Sequence, residues 1–283
     1  MGTEFQNLLG DLIKHALNED VGQGDITTIA TIPQNQQSTA KCIVKEACTI
    51  AGIELATFIC KEVDPTLVCT WLNHDGDKID SQKEIGTIEG STWGILMAER
   101  LLLNCMQRMS GVATRTAKLV QLIAPYQTKL LDTRKTTPNN RILEKWAVKI
   151  GGGVNHRMGL YDQILIKDNH IAASGGIENA LQNCEKYILE KKLDVPIIVE
   201  VKNMDEFKKV VDVSMVSRVL LDNFLPEYIS EIVSFNNGRK LLEASGGIDE
   251  TNIIDFAKTG VDYISVGSIT HHIESIDISL KIK

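Results

Sequence analysis

This 283-residue sequence predicts an α/β protein whose second half forms a parallel sheet or barrel, and three observations carry that prediction. Beyond about residue 128, short apolar runs begin near Thr128, Gln163, Pro196, Arg218, Lys240 and Asp262, and helical patterns separate them. The steps are roughly 20 to 35 residues, the size of a βα unit. Runs such as Ile164-Leu165-Ile166, Ile197-Ile198-Val199 and Val219-Leu220-Leu221 are apolar without alternation, as strands covered on both faces must be. The last observation is that polar residues or glycines follow nearly every run.

From Phe5 to Leu17 the residues Phe5, Leu8, Leu9, Leu12, Ile13, Ala16 and Leu17 recur at three and four, which predicts an amphipathic helix. A glycine- and acid-rich loop is expected from Glu19 to Thr28, then strand-like pieces around Ala40 to Lys45 and Leu67 to Leu72. A long helix follows from Thr92 to about Ala124, carrying Arg100, Arg108 and Arg115, with a break expected near Ser110-Gly111. The first domain ends within it.

Composition narrows the function. Hydrophobic residues make up 43% and charged residues 24%, which excludes disorder and collagen-like architectures. Thirty basic against 37 acidic residues leave a net charge of -7, so no overall positive field gathers nucleic acid or an anionic membrane. Any anion site must be a local cationic cluster. The six cysteines show neither a C-x-x-C nor a zinc spacing and read as reduced and mostly buried, with Cys105 and Cys184 in helical core. The N-terminal segment lacks the pattern of a secretory signal, and no uncharged apolar run reaches the ~18 residues of a membrane span. A cytoplasmic protein is expected.

The chemistry sits just past each run: Asp132-Thr133-Arg134-Lys135, Lys167-Asp168-Asn169-His170, Glu200, Asp222-Asn223, Glu243-Ala244-Ser245-Gly246-Gly247 and Ser265-Val266-Gly267-Ser268. In a βα barrel these positions converge on the C-terminal face; in an open sheet only those at a switch point meet. The two glycine loops suit a phosphate, because glycine lets backbone N–H groups approach an anion. Taken alone, Ser245-Gly246-Gly247 also fits an ordinary strand-to-helix turn. Arg134, Lys135, His156, Arg157 and Lys167 supply cations for carboxylates or phosphates, while Glu200 and Asp222 suit Mg²⁺ shared with a phosphorylated ligand. The bland alternative is a rim of mutual salt bridges. His271-His272 has no further metal-ligand spacing, which favours a phosphate contact for His271 and a surface place for His272. Gly151-Gly152-Gly153 follows a helix and lacks a Walker lysine, so it reads as a helix-terminating loop that positions His156 and Arg157.

Three segments closely resemble the quinolinate phosphoribosyltransferase family: Asp132-Thr133-Arg134-Lys135-Thr136-Thr137-Pro138, Gly151-Gly152-Gly153-Val154-Asn155-His156-Arg157-Met158-Gly159-Leu160 and Leu165-Ile166-Lys167-Asp168-Asn169-His170-Ile171. The likeness continues through Glu19-Asp20, Gly24-Asp25-Ile26-Thr27-Thr28, Glu99-Arg100, Glu200-Val201, Leu221-Asp222-Asn223, Glu243-Ala244-Ser245-Gly246-Gly247-Ile248 and Val266-Gly267, and so spans nearly the whole chain. One departure is Asn139-Asn140, where the family usually carries Gly-Leu, which bears on the loop before Arg141.

The resemblance implies an N-terminal α/β sandwich over residues 1–110 and an incomplete, seven-stranded type α/β barrel over 111–270, with the tail from about 270 to 283 packing back on the first domain. It implies a homodimer whose active site is shared between subunits, and leaves dimer and hexamer open. The implied reaction joins quinolinate and phosphoribosyl pyrophosphate to give nicotinate mononucleotide, pyrophosphate and CO₂, with Mg²⁺, in de novo NAD synthesis. By resemblance, Arg134, His156 and Arg157, with Lys135 and Lys167, surround the quinolinate carboxylates beside Thr133, and Arg100 reaches in from the neighbouring subunit. Glu200 and Asp222 hold Mg²⁺ and the ribose side, directly or through water or substrate. Ser245, Gly246, Gly247, Val266, Gly267 and Ser268 bind the 5′-phosphate, with His271 nearby. Lys135, Lys167, Glu200 and Asp222 are the expected catalytic set. Two rivals are an enzyme of the same fold acting on another anionic acceptor such as nicotinate, and a catalytically silent phosphosugar-binding subunit.

Overall fold

The computed structural model describes residues 3–283, and Met1 and Gly2 lie outside the described residues. It divides into two compact units, neither contiguous in sequence. One takes the chain up to Ala117 with residues 136–152 and 272–283; the other takes 118–135 and 153–271.

In the first unit, helix α1 (Thr3–Val21) buries Leu9 and Ile13 from the periodic face. The expected loop stops at Asp25, whose carboxylate accepts the N–H groups of Thr27 and Thr28 at 3.0 and 3.1 Å and caps a short helix α2 (Ile26–Thr31). The acid that read as loop is a helix start. Strands β1 (Gln37–Val44), β3 (Val68–Trp71), β5 (Lys83–Ser91) and β12 (Ile278–Ile282) form an antiparallel sheet ordered β12-β1-β5-β3. The C-terminal strand pairs with β1 from Ala40↔Ile282 to Val44↔Ile278, so the tail belongs to this sheet. Helix α3 (Ile53–Val63) buries Ile53, Leu55, Ala56, Ile59 and Cys60, and a small β2 (Cys48–Thr49) and β4 (Lys78–Ile79) pair completes the unit's strands.

Helix α4 (Thr92–Ile123) runs unbroken through Ser110-Gly111, where a break was expected. The two small residues serve close packing instead. Ser110 Oγ accepts the Ala51 N–H at 3.0 Å, and a Cβ on Gly111 would lie 2.2 Å from the Glu274 carbonyl oxygen. A boundary at 110/111 therefore falls in mid-helix. After α5 (Arg141–Ile150), a Cβ on Gly151 would lie 2.5 Å from the Ala113 oxygen, which explains a glycine there. The Asn139 departure is also accommodated: it takes φ +62, a left-handed conformation that asparagine tolerates in place of glycine.

All six apolar runs of the second unit are strands: β6 (Lys129–Leu131), β7 (Ile164–Ile166), β8 (Ile197–Val201), β9 (Arg218–Asp222), β10 (Leu241–Ser245) and β11 (Tyr263–Ser265). Their order is β6-β11-β10-β9-β8-β7, and every pairing is parallel. A single parallel bridge, Leu131↔Val154, adds a seventh position beside β6. Helices α6 (Asp168–Ala173), α7 (Ile177–Lys191), α8 (Met204–Val210), α9 (Pro226–Asn236), α10 (Ile253–Lys258) and α11 (Ser268–His271) fall between or after the strands. They bury Phe207, Val210, Ile229, Ile232, Ile253 and Phe256 together with the outward strand residues Val199, Val219, Leu221 and Leu242. Leu165, Ile198 and Leu220 form an inner apolar cluster.

Candidate active site

A cavity of about 570 Å³ in the second unit is lined from the C-terminal ends of the strands. Around the sheet, its lining follows the strand order. Arg134 and Lys135 leave β6, and His156 and Arg157 follow the Val154 bridge. Gly267 and Ser268 follow β11, Ser245 to Gly247 end β10, Asp222 ends β9, Glu200 lies in β8, and Lys167 follows β7.

The cationic side is built by two acids, one buried and one half-buried. Asp132, fully buried at the end of β6, accepts the His156 N–H at 2.8 Å. Asp162 accepts the N–H groups of Met158 and Gly159 at 2.6 and 3.0 Å. Burial raises the Asp162 carboxyl pKa, but those backbone bonds outweigh it and hold the acid below its ordinary range. The loop so folded buries Arg157, 6% exposed, and its Nη1–H donates to the Gln163 oxygen at 3.1 Å. Burial first, and then the Arg134 guanidinium, push Arg157 below its usual value, with Asp162 opposing. Two crowded guanidinium groups facing a cavity are stabilised when a carboxylate arrives.

The acidic side is Glu200 and Asp222. Burial raises the Glu200 carboxyl pKa; Lys167, with Nζ 3.8 Å from Oε2, opposes this, and Asp222 adds to the rise. The Asp168 N–H donates to Glu200 Oε1 at 3.4 Å, and Lys202 pairs with Asp168 at 3.0 Å. Asn223, at φ +58, donates Nδ2–H to Asp222 Oδ2 at 3.0 Å and its backbone N–H to the Ser245 oxygen at 2.8 Å, which fixes the Asp222 carboxylate.

Between the two sides lie the glycine loops. Among the described residues no hydrogen bond claims the backbone N–H groups of Gly246, Gly247, Gly267 or Ser268, and the buried Ser268 Oγ has no partner. Such donors suit an oxyanion. Gly267 makes room for two side chains: a Cβ there would lie 2.9 Å from Lys135 Cδ and 3.0 Å from His271 Nε2. Thr133 Oγ1 accepts the Lys135 N–H at 3.0 Å, and Thr270 Oγ1 donates to the Lys135 oxygen at 2.7 Å.

Two expected residues stand apart from this cavity lining. Val266 is buried and its N–H donates to the Leu131 oxygen at 3.0 Å, within the strand ladder, so it offers nothing to a phosphate. Arg100 lies on α4 in the other unit, exposed, 3.9 Å from Glu99. The sequence reading named Asn223 and Glu243 at the strand ends without giving them a role and passed over Asp162; all three hold or line the cavity. Glu243 had a visible signal, a charge inside the apolar run Leu241-Leu242-Glu243-Ala244.

Among the described residues no group of three or more His, Cys, Asp or Glu could by itself hold a metal ion. The Glu200 and Asp222 pair is nonetheless a hard-oxygen donor set, which fits Mg²⁺ if the remaining ligands are water and substrate oxygens.

A parallel α/β unit with guanidinium groups, glycine loops and paired carboxylates at its strand ends defines the class of α/β-barrel enzymes acting on anionic, phosphorylated substrates. Comparison with known proteins specifies it. Residues 25–110 match the quinolinate phosphoribosyl transferase N-terminal domain and residues 112–281 its C-terminal domain. A quinolinate phosphoribosyltransferase (decarboxylating) of Nicotiana tabacum is 42% identical over 97% of this chain and 82% of its own length. The nicotinate-nucleotide pyrophosphorylase (carboxylating) of Mycobacterium leprae is 38% identical over 95% of each chain. The solved nicotinate-nucleotide pyrophosphorylase of Francisella tularensis superposes with a TM-score of 0.90 at 42% identity, covering 98% of this chain and 96% of that one. NadC of Streptococcus pyogenes gives 0.93 at 36%, covering 100% and 98%. The chain belongs to the quinolinate phosphoribosyltransferase family, enzymes that transfer a pentosyl group with decarboxylation.

Proposed function

We propose that the chain joins quinolinate to phosphoribosyl pyrophosphate with loss of CO₂, giving nicotinate mononucleotide and pyrophosphate, and that the cavity of the second unit is where this happens. The observation that carries the assignment of the acceptor is the buried Arg157 crowded by Arg134, with His156 and Lys135 beside them. A small dianion needs several fixed donors to offset its desolvation, and these forks suit planar carboxylates.

The residues divide the work by position. Arg134 and Arg157 orient quinolinate so that its ring nitrogen faces the ribose. Gly246, Gly247, Gly267 and Ser268 hold the 5′-phosphate through N–H and hydroxyl donors, with His271 alongside. Glu200 and Asp222 receive the ribose hydroxyls and would hold Mg²⁺, which when bound neutralises the departing pyrophosphate. Lys135 and Lys167 carry positive charge toward the same oxygens. As the ribosyl carbon gains oxocarbenium character, the pyridine nitrogen attacks, and no protein nucleophile is required. The quaternary nitrogen then stabilises the carbanion left as the adjacent carboxylate departs as CO₂, a proton from solvent completes the ring C–H, and the protein supplies positioning and electrostatics.

We further propose a cytoplasmic homodimer, with the option of assembly into hexamers, in which Arg100 of the partner subunit reaches the quinolinate site. All six cysteines are free, which favours a reducing compartment, and no described helix is long and apolar enough to cross a membrane. The deciding assay incubates the protein with phosphoribosyl pyrophosphate, Mg²⁺ and either quinolinate or nicotinate, and resolves products by mass. Nicotinate mononucleotide and CO₂ from quinolinate support the reading. Product from nicotinate alone, or from neither acceptor, overturns it.

A further inference from the structure

The cavity is lined by an acid that the reaction above does not use. Glu243 lies in the middle of β10, and its side chain is fully buried. Oε2 is 2.9 Å from Arg218 Nη1 and 3.5 Å from His156 Nε2. Oε1 has no hydrogen-bond partner among the described residues, and neither has Nε of Arg218, whose guanidinium carbon lies 4.5 Å from the Tyr263 ring centroid. Burial raises the Glu243 pKa, but His156, Arg218 and Ser265 outweigh it and keep the carboxyl below its ordinary range.

A buried carboxylate with one unsatisfied oxygen is costly to maintain, and balancing Arg218 would not require it to face the cavity. What it faces is the ring of His156. That ring accepts the Arg157 N–H on Nδ1 at 2.7 Å, so the ring proton sits on Nε2, the nitrogen directed at Glu243. The His156 backbone N–H is held by Asp132. A continuous relay therefore runs from Arg218 through Glu243 and His156 to the backbone of Arg157.

We propose that Glu243 is a positioning residue for the acceptor site: it fixes the tautomer and plane of His156 and, through His156 Nδ1, the placement of Arg157 against the acceptor carboxylates. This rests on the acceptor reading given above. Glu243 touches neither substrate in this account, and its effect is confined to one of the two substrates.

The test is Glu243→Gln, which keeps the volume but removes the charge from the oxygen that Arg218 and His156 share and puts an NH₂ donor where Oε1 has no partner. The KM for quinolinate should rise by about 10- to 100-fold, while the KM for phosphoribosyl pyrophosphate stays within about twofold. A merely structural role, balancing Arg218, is separated by the double variant Glu243→Gln/Arg218→Met. Removing both charges should restore thermal stability but leave the quinolinate KM raised. A quinolinate KM that returns to the wild-type value along with stability overturns the proposal. So does an equal rise in both KM values. Side-chain ¹⁵N spectra of the ligand-free wild-type protein give a readout independent of turnover and of the variants' folding. His156 should show a protonated Nε2 and an unprotonated Nδ1, and the reverse tautomer overturns the relay. If the wild-type protein makes no product from quinolinate, the functional reading fails while the tautomer measurement still decides whether the relay exists.

Discussion

Replacing Gly246 by Ala should damage the phosphate side of the cavity far more than the same change at Gly247, although the two residues are adjacent. Gly246 has φ +104, and a Cβ there would lie 2.2 Å from Asn223 Oδ1, 2.6 Å from its Cγ and 3.0 Å from its backbone nitrogen. Gly247 has φ +60 with nothing within 4 Å of the added carbon. Each substitution forces a non-glycine residue into a region that costs about 1–3 kcal/mol. Gly246→Ala must also displace Asn223, whose amide donates to Asp222 Oδ2 at 3.0 Å; a hydrogen bond to a charged group contributes about 1.5–3 kcal/mol. The sum is roughly 2.5–6 kcal/mol for Gly246→Ala against about 1–3 kcal/mol for Gly247→Ala. If half of it appears in binding, the affinity for ribose 5-phosphate falls about 8- to 140-fold at Gly246 and less than about 12-fold at Gly247, since 1.4 kcal/mol is tenfold. Titration calorimetry with ribose 5-phosphate measures this, with quinolinate as the control that should not change. Equal losses at the two positions, or the reverse order, would refute the clash with Asn223 as the cause.

Two other perturbations follow from the same geometry. Glu200→Gln should stabilise the protein while impairing it: burial raises the Glu200 pKa, so its ionised form costs folding free energy, and that cost is present above the raised pKa and absent below the ordinary carboxylate range. Melting curves should place the variant above wild type at pH 7 and level with it near pH 4, with turnover reduced by about 10²-fold or more; a lower melting temperature at pH 7 would contradict the sign. In the first unit, Glu144 is fully buried and accepts from Arg108 Nε and Nη2 at 3.1 and 2.8 Å and from the Thr137 N–H at 3.2 Å. Glu144→Ala should cost about 3–5 kcal/mol, or roughly 10 °C in melting temperature, and a shift under about 3 °C would show that the pair is not a stabilising one.

The second unit was legible because its strands are buried on both faces and so break the sequence into uninterrupted apolar runs. Every run became a strand, and most of the polar residues just beyond the runs line the cavity, with Asp132, Asp168, Asn169 and His170 outside the lining. What escaped were residues whose role lies in geometry that sequence spacing does not encode. Val266 follows a run as the site residues do, yet its N–H is taken by the ladder. Asn223 works because it occupies a left-handed conformation beside Asp222. Ser110-Gly111 has the composition of a helix break but marks a close approach to other backbone. The first unit was less readable for a different reason. Its strand β1 pairs with a segment more than two hundred residues away, so the C-terminal tail cannot be assigned to a sheet from local pattern.

The charges of the cavity decide how two anions could share it. Arg134, Lys135, Arg157 and Lys167 line it together with Glu200, Asp222, Glu243 and Asp249, so cations and acids are equal in number. Attraction therefore comes from segregation along the sheet. The guanidinium groups lie at β6 and the Val154 bridge, the glycine loops at β11 and β10 with Glu243 and Asp249 on and after β10, and Asp222 and Glu200 at β9 and β8. A dicarboxylate can be held on the guanidinium side without outside help. A polyanion whose phosphate occupies the glycine loops extends toward Asp222 and Glu200, where like charges repel unless a cation accompanies it. Under the function proposed above, the affinity for quinolinate should be insensitive to Mg²⁺, and the affinity for phosphoribosyl pyrophosphate should rise with it by about tenfold or more. Calorimetric titrations of each substrate with Mg²⁺ and with a chelator provide the comparison. Equal dependence for both substrates would mean that the acids and the guanidinium groups act on the same ligand, and the division of the cavity argued here would be wrong.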